Sequence, residues 1–495
     1  MKNFLLTLVA IAGAVAAFFA NAPYGIWPLM LVGIAVLWLL STSKTLTAVL
    51  LGFIWGFTYF FLLLDWVHYA AGIYLAQVLL AAVLALYLAV TAGIWSWLYR
   101  ARIPLVVKLL AATAVAVAME QLRSAWPLGG MPWGRTAFAM VDSPLVRLAS
   151  WGSTALVSAV TIFIALCLAS FGTEIFRHEV STAVLAGSAG VILIFMPLAL
   201  PVGSNPTGSV RLGIVQGNGP TTAVDNRALR VTASHVSATR ELDFAGLDMV
   251  LWPESASDRD IRKDPQSLAL VNEAQNQVKV PILLGTQEYF AGVRKNDYVV
   301  FDGGEVVDTY SKQHPVPFGE YVPWRETARK ITDAVDLIST DMVAGTEPAT
   351  VTVGNWKIAT PICFEVAYDR IVSEAVLAGA ELIVVPTNNA SFGDSNESYQ
   401  QFAMTQFRAI EHGRSAVQVS TTGTSGVVTP NGLVRYQTEL FETDARTVTL
   451  PLAQHTTFAA RTAAIREVAV YLLGVAGLAV ALLRWPKKNA QPQQN

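Results

Sequence analysis

The strongest constraint on this chain is a set of apolar runs gathered before residue 203, each long enough to cross the hydrocarbon core of a bilayer. They lie near 4–20, 25–41, 47–64, 70–98, 104–119, 150–172 and 182–201, with one more near 467–483. A spanning helix needs about 20 mostly apolar residues, so several runs sit near the lower limit. The charges divide the chain in the same way. Residues 1–203 carry nine Lys or Arg and five Asp or Glu, leaving 56 of the 70 charged side chains to the remaining 292 residues. Hydrophobic residues make up 53% of the whole, more than a soluble protein carries. The sequence therefore predicts a membrane bundle (residues 1–203, seven spans), a globular domain (209–455), an eighth span (464–484) and a polar tail (485–495). A net charge of −2 gives no basis for a nucleic-acid partner.

The first run has an alternative reading as a signal peptide, with Lys2 before it and Ala20-Asn21-Ala22 as a cleavage site. Its long apolar core and the spans that follow directly favour a retained helix. Eight spans put both termini on one side, together with Lys2, Lys44, Arg100, Arg102, Arg177, Arg484, Lys487 and Lys488. The connections at Asn21–Tyr24 and Asp65–His68, on the other side, have no Lys or Arg; a third there carries Arg123, Arg135 and Arg147. The balance places the termini in the cytoplasm and the globular domain outside it. That third connection holds Gly129-Gly130-Met131-Pro132-Trp133-Gly134, a rigid turn with a Trp. It reads either as an interfacial anchor or as a wall of a lipid cleft. Glu120 and Arg123, at the end of the fifth span, read as an ion pair.

After a short linker (204–208), strands and helices alternate. Strand-like runs are 210–215, 249–252, 281–284, 298–301, 350–353 with 356–359, 382–385 and 416–419. Helix-like segments are 226–242, 265–278, 366–379 and 398–412. Such alternation predicts a layered α/β domain. Cys167 lies in an apolar run and Cys363 in the globular half, so no disulfide is expected. Cys363 falls where a strand turns into a helix, which exposes a side chain at a sheet end near helix N–H groups that favour a thiolate. Read singly, a free cysteine is more often a small buried hydrophobe.

Two other stretches carry isolated polar groups. Leu251-Trp252-Pro253-Glu254 puts a carboxylate after a buried strand, suited to general-base work, or else simply facing solvent. Tyr310-Ser311-Lys312 opens a Pro- and Gly-rich loop running to Glu320, and Lys312 is either a solvated lysine or an oxyanion donor. The six His residues show no ligand spacing, so no metal is implied. No cofactor is implied either.

Together, Glu254, Lys312 and Cys363 resemble the catalytic set of the nitrilase (carbon–nitrogen hydrolase) superfamily, in the same chain order. With eight flanking spans, the chain resembles the apolipoprotein N-acyltransferase family over nearly its whole length. The matching pieces include Val215-Gln216-Gly217-Asn218, Lys312 through Pro323, Ile362-Cys363-Phe364-Glu365 and Arg408 through Arg414. Gly130-Met131-Pro132-Trp133 resembles that family's Gly-Phe-Pro-Trp turn. Two departures stand out: Phe364 replaces a usual Tyr, and Asn388-Asn389-Ala390-Ser391-Phe392-Gly393 lacks the usual Asp and Trp.

The resemblance implies an αββα sandwich on a transmembrane bundle in the bacterial cytoplasmic membrane. It implies acyl transfer from a phospholipid donor, through a thioester on Cys363, to the α-amine of a diacylated apolipoprotein. Glu254 is then the base and Lys312 the oxyanion donor. Glu320 and Glu365 are supporting carboxylates that orient Lys312 or tune Glu254, and Phe364 joins them. Trp133, Gly130 and Trp252 line the lipid cleft. Two substrates, donor and acceptor, with acyl chains buried in a bilayer would explain why a hydrolase-like domain carries spans. The alternatives are a membrane-tethered amidase or nitrilase on a small amide, and a non-enzymatic scaffold or transporter. The near absence of charge in the spans argues against transport.

Overall fold

A computed structural model describes residues 2–176, 180–203, 205–222, 224–330, 335–336 and 338–483. Arg177, Ser204, Arg484 and the expected tail at 485–495 lie outside these residues. The N-terminal part is helical: α1 (Lys2–Phe19), α2 (Pro28–Leu40), α3 (Thr45–Leu63), α4 (Trp66–Ala71), α5 (Tyr74–Arg100), α6 (Leu105–Arg123), α7 (Ala149–Phe176) and α8 (Val180–Phe195).

Six helices among the described residues are long and apolar enough to cross a membrane. They are α1, α3, α5, α6, the Pro144–Thr173 stretch containing most of α7, and a C-terminal helix, Ala463–Leu483. The 25–41 and 182–201 runs form shorter apolar helices, Pro28–Leu40 and Gly187–Ala199. Pro28 opens α2 at a first helical turn, where its missing N–H costs nothing. Pro197 tightens the end of the 182–201 run into a 3-10 turn. Glycine sets the α3–α5 spacing: a Cβ on Gly52 would lie 2.6 Å from the Ala92 methyl, and one on Gly56 3.0 Å from Ala85 Cα.

The second part alternates as the sequence predicts. In chain order it comprises β1 (Gly208–Gln216), α9 (Arg227–Thr239), β2 (Met249–Leu251), α10 (Pro265–Val278), β3 (Ile282–Phe290), β4 (Val293–Asp302), β5 (Glu305–Ser311) and α11 (Arg325–Arg329). There follow β6 (Thr350–Val353), β7 (Trp356–Ala359), α12 (Asp369–Leu377), β8 (Leu382–Thr387), α13 (Glu397–His412), β9 (Ala416–Ser420), β10 (Gly426–Val428), β11 (Val434–Gln437) and β12 (Asp444–Leu452). The short α14 (Phe458–Arg461) leads into α15 (Ala463–Leu483).

The strands form two six-stranded sheets, ordered β12-β1-β2-β3-β4-β5 and β11-β10-β9-β8-β7-β6. Alternation along β2 shows why both faces are covered. Met249 and Leu251 join a core shared with Val351, Ile358 and Val384 of the other sheet. Val250 and Trp252 point the other way, into a separate core with Val236 of α9 and Val271 of α10. The result is a nitrilase-like αββα sandwich. Its outer layer on the second sheet is α12 and α13, and these helices also touch the bundle: α13 packs on α7, and α12 on α14 and α15. One hydrophobic cluster consequently runs from the bundle into the space between the sheets.

Candidate active site

The chemistry-bearing side chains sit at the carboxyl ends of strands from both sheets. Glu254 follows β2, Lys312 follows β5, Cys363 comes four residues after β7, and Asn388 follows β8. Gly285 of β3 lets the Glu254 turn sit close, since a Cβ there would lie 2.4 Å from Ser255 N. All three expected residues are buried, with Glu254 4%, Lys312 1% and Cys363 8% exposed.

The Glu254 carboxylate accepts from three donors: Asn296 Nδ2 at 2.6 Å, Lys312 Nζ at 3.3 Å and the Asn388 N–H at 2.8 Å. Lys312 Nζ also donates to Glu320 Oε1 at 2.6 Å, and Glu320 Oε2 accepts from the Val316 N–H at 2.7 Å. Burial alone pushes the Lys312 ammonium down, but Glu254, Glu320 and the Cys363 sulfur outweigh it and hold the ammonium well above the usual lysine value. Lys312 is therefore a fixed cation.

Glu365 is placed differently from Glu320. Its carboxylate accepts from Tyr310 Oη and from the N–H groups of Gln313, His314 and Ile362, at 2.7–3.0 Å. Those backbone groups belong to the Lys312 loop and to the turn before Cys363, so Glu365 clamps the two together. Burial pushes Glu365 up to about 7, with Lys312 and the N–H donors pulling the other way.

Cys363 opens a five-residue 3-10 turn, Cys363–Ala367, with its own φ at +54°. A left-handed non-glycine residue is strained, and such strain gathers at functional positions. The helix expected from 366 begins only at Asp369, so the thiolate-favouring helix end is not there. Burial instead pushes the Cys363 thiol well above its ordinary value, with Glu254 adding to that and Lys312 opposing it. The thiol needs a base at hand and donors aimed at its sulfur.

The Gly129–Gly134 turn meets this site directly. Trp133 is 1% exposed, stacks on Phe364 (5.4 Å, 12°) and donates from Nε1 to Gln400 Oε1 at 2.6 Å. An interfacial anchor would face lipid, and this ring does not. Trp66 touches both Trp133 and Phe392, so an aromatic group joins bundle and domain. Gly130 has φ +79°, its carbonyl accepts from Tyr368 Oη at 3.3 Å, and a Cβ there would strike Ser124 C at 2.2 Å. Glu120 and Arg123 hold this loop from below. Glu120 accepts from Thr136 and Ser158, and Arg123 donates to the Met131 and Trp133 carbonyls at 2.6 Å.

Trp252 is a correction. Its indole is fully buried on the α9 side of β2, with Nε1 donating to Thr239 Oγ1 at 3.0 Å, so it lines no cleft. Strand alternation sends it away from the site.

The sequence reading missed several neighbours. Asn296 and the Asn388 N–H hold Glu254, and Gln401 Nε2 lies 3.5 Å from Cys363 Sγ. Asp369 bridges Arg135 of the bundle loop (3.0 Å) and Arg408 of α13 (2.9 Å). Arg408 in turn donates to the Val366 and Ala367 carbonyls of the Cys363 turn. The signal was present as polar residues at helical spacing in 397–412, but such a stripe ordinarily reads as a solvent face.

A buried Glu–Lys–Cys constellation on an αββα sandwich defines a class, and sequence comparison agrees with it. Residues 211–460 match the carbon–nitrogen hydrolase family, so the catalytic half is a member of that superfamily. Residues 13–167 match the apolipoprotein N-acyltransferase N-terminal domain. Apolipoprotein N-acyltransferase of Mycolicibacterium smegmatis is 30% identical over 513 residues, covering 96% of this chain and 84% of that protein. That of Azotobacter vinelandii is 29% identical over 524 residues, covering 97% and 94%. Among solved structures, an amidase of the nitrilase superfamily from Nesterenkonia AN1 aligns with 54% of this chain and 100% of its own, at 18% identity and a TM-score of 0.40. The chain belongs to the apolipoprotein N-acyltransferase family.

Proposed function

We propose that this enzyme N-acylates lipoproteins in two steps, with Cys363 as nucleophile, Glu254 as general base and acid, and Lys312 as oxyanion donor. Glu254 takes the Sγ proton, and the thiolate attacks an ester carbonyl of a phospholipid. Lys312 Nζ and a backbone N–H at Cys363 or Phe364 hold the tetrahedral oxyanion. Its collapse releases the lysophospholipid oxygen, which takes the proton from Glu254, and leaves a thioester. The α-amine of a diacylglyceryl-cysteine then attacks that thioester. Glu254 deprotonates the amine, whose unperturbed pKa is about 8, and the thiolate departs. Glu320 orients Lys312, and Glu365 holds the two loops. Trp133, Gly130 and Phe364 form the side of the site toward the acyl chain.

The observation that carries this reading is the ammonium of Lys312, fixed between Glu254 and Glu320 beside a turn that packs on the membrane bundle. Donor and acceptor both keep their chains in a bilayer, and water must be kept from the thioester. We also propose that Pro28–Leu40 and Gly187–Ala199 cross the membrane. Residues 1–203 then hold seven spans, 464–484 the eighth, and 209–455 the catalytic domain on the extracytoplasmic face of the bacterial inner membrane. Lys2, Lys44, Arg100 and Arg102 on the opposite side support this orientation.

Intact-mass measurement of the purified protein with phospholipid tests the scheme. The expected result is a fatty-acyl adduct on Cys363 that disappears when a diacylated lipopeptide is added. Wild-type protein without an adduct, or with one that survives Cys363→Ala, refutes it. Ammonia released from small amides in place of the adduct identifies a membrane-tethered amidase.

A further inference from the structure

Gln401 sits on α13 with its side chain fully buried. Its amide makes three contacts. Oε1 accepts from Thr387 Oγ1 at 2.8 Å and from Asn389 Nδ2 at 3.1 Å, and Nε2 donates to Cys363 Sγ at 3.5 Å. The orientation of an amide is fixed only by its partners, and here the partners form a directional chain. The Gly423 N–H can only donate, and it donates to Ser420 Oγ at 2.8 Å. The Ser420 hydroxyl donates in turn to Asn389 Oδ1. Asn389 is thereby left with its Nδ2 facing Glu397 Oε2 (2.6 Å) and Gln401 Oε1. In this arrangement Gln401 presents an N–H to the sulfur. Flipping it would set the amide hydrogens of Asn389 and Gln401 against each other and aim a carbonyl oxygen at the thiolate.

We infer that Gln401 is a further catalytic residue, donating a hydrogen bond to the Cys363 thiolate, and that Ser420 and Asn389 are positioning residues that fix the sense of its amide. The inference rests on Cys363 being the nucleophile. A donor is needed at this point. The sulfur is buried near Glu254 and Glu397, which the Lys312 ammonium and the Thr387 hydroxyl only partly offset, and the left-handed turn gives it no helix end to lean on. The hydrogen bond holds the thiolate in the attacking state and returns to it when the amine displaces the acyl group.

The test is the pH dependence of Cys363 alkylation by iodoacetamide in the full-length protein, with Cys363→Ala as the control for labelling at Cys167. Gln401→Met keeps the length of the side chain and removes the donor. Its alkylation midpoint should rise by about one pH unit, making labelling below the midpoint about tenfold slower, as expected for one hydrogen bond to a charged acceptor. Ser420→Ala should shift the midpoint in the same direction by less. Unfolded molecules expose a thiol of ordinary pKa, about 8.5, and would lower the apparent midpoint, so partial misfolding does not mimic a rise, and Ser420→Ala carries the test if Gln401→Met does not fold. Unchanged midpoints overturn the inference. Acyl-adduct formation by the wild type, measured alongside, reports separately on Cys363 as nucleophile.

Discussion

Replacing Lys312 by Met leaves the buried Glu254 and the part-buried Glu320 carboxylates with no cation between them. Lys312 Nζ lies 3.3 Å from Glu254 Oε1 and 2.6 Å from Glu320 Oε1, and its side chain is 1% exposed. Methionine fills a similar volume without charge, so the consequence is electrostatic more than steric. Breaking a buried ion pair by removing one partner costs about 3–5 kcal/mol. The chemistry suffers separately. Loss of one oxyanion donor costs about 10²–10³ in rate, and Glu254 loses a partner that fixes its carboxylate. Acylation of Cys363, followed by intact mass at saturating phospholipid, should therefore slow at least about 10³-fold. Lys312→Arg should recover part of the stability and little of the rate, because a planar fork does not replace a point charge between two carboxylates. A Lys312→Met protein that acylates within about tenfold of wild type, or whose stability matches wild type, would show that the ammonium is not the oxyanion donor held by this pair.

Three further outcomes are expected. Asp369→Asn strands buried Arg135 and should lower unfolding stability by about 3–5 kcal/mol. Arg135→Met combined with Asp369→Leu should be less harmful than Asp369→Asn alone. A loss below about 1 kcal/mol, the size of a surface pair, contradicts this. Burial pushes Glu397 up to about 8, above the roughly 4.3 of an unfolded glutamate. Its stability contribution is thus present at acid pH and lost as the pH rises through about 8. Glu397→Gln should flatten that slope in thermal unfolding, and parallel curves would refute it. Gly130→Ala puts a methyl 2.2 Å from Ser124 C at φ +79°, so acylation should fall while helix content by circular dichroism holds. Gly172→Ala, with nothing within 4 Å, is the control, and equal activity of the two variants counts against the close packing of that turn.

The parts of the fold that were legible in the sequence are those buried on both sides. The runs at 249–252, 281–284, 382–385 and 416–419 are apolar because sheet and helix cover both faces. The strands that went unread are β5, β10, β11 and β12. β5, β11 and β12 lie at or beside sheet edges, where half-exposed residues such as Val307 and Arg435 break the pattern; β10 has only three residues. Glu254, Lys312 and Cys363 stand out because each is an isolated reactive group after a strand. Their chemical state was less legible. The strand-to-helix junction pointed to a helix end lowering the thiol, whereas the turn is a short 3-10 segment and burial dominates. Trp252 was drawn into the cleft by its nearness to Glu254 in sequence, although alternation turns it to the opposite face.

The polar stripe of α13 shows why the membrane half and the catalytic half have to be read together. Glu397, Gln401, Thr405, Arg408 and His412 recur at nearly four-residue spacing, and all are buried. On a helix of a free-standing sandwich such a stripe belongs in water. Here it faces inward, onto β8, β9 and the Cys363 turn, while Gln400 and Phe407 beside it meet the bundle, and most of its polar groups find partners among the working parts. Gln401 reaches the sulfur, Arg408 holds the carbonyls of the Cys363 turn, and Arg408 meets Arg135 of the bundle through Asp369. The neighbouring Gln400 ties Trp133 to the Leu63 carbonyl of α3. The bundle therefore does more than hold the domain at the lipid surface. Through Trp133 on Phe364 and Arg135 on Asp369, it braces the turn that carries Cys363. A catalytic domain cut free of the bundle would lose the Trp133 and Arg135 contacts that fix the turn, even with Glu254, Lys312 and Cys363 unchanged.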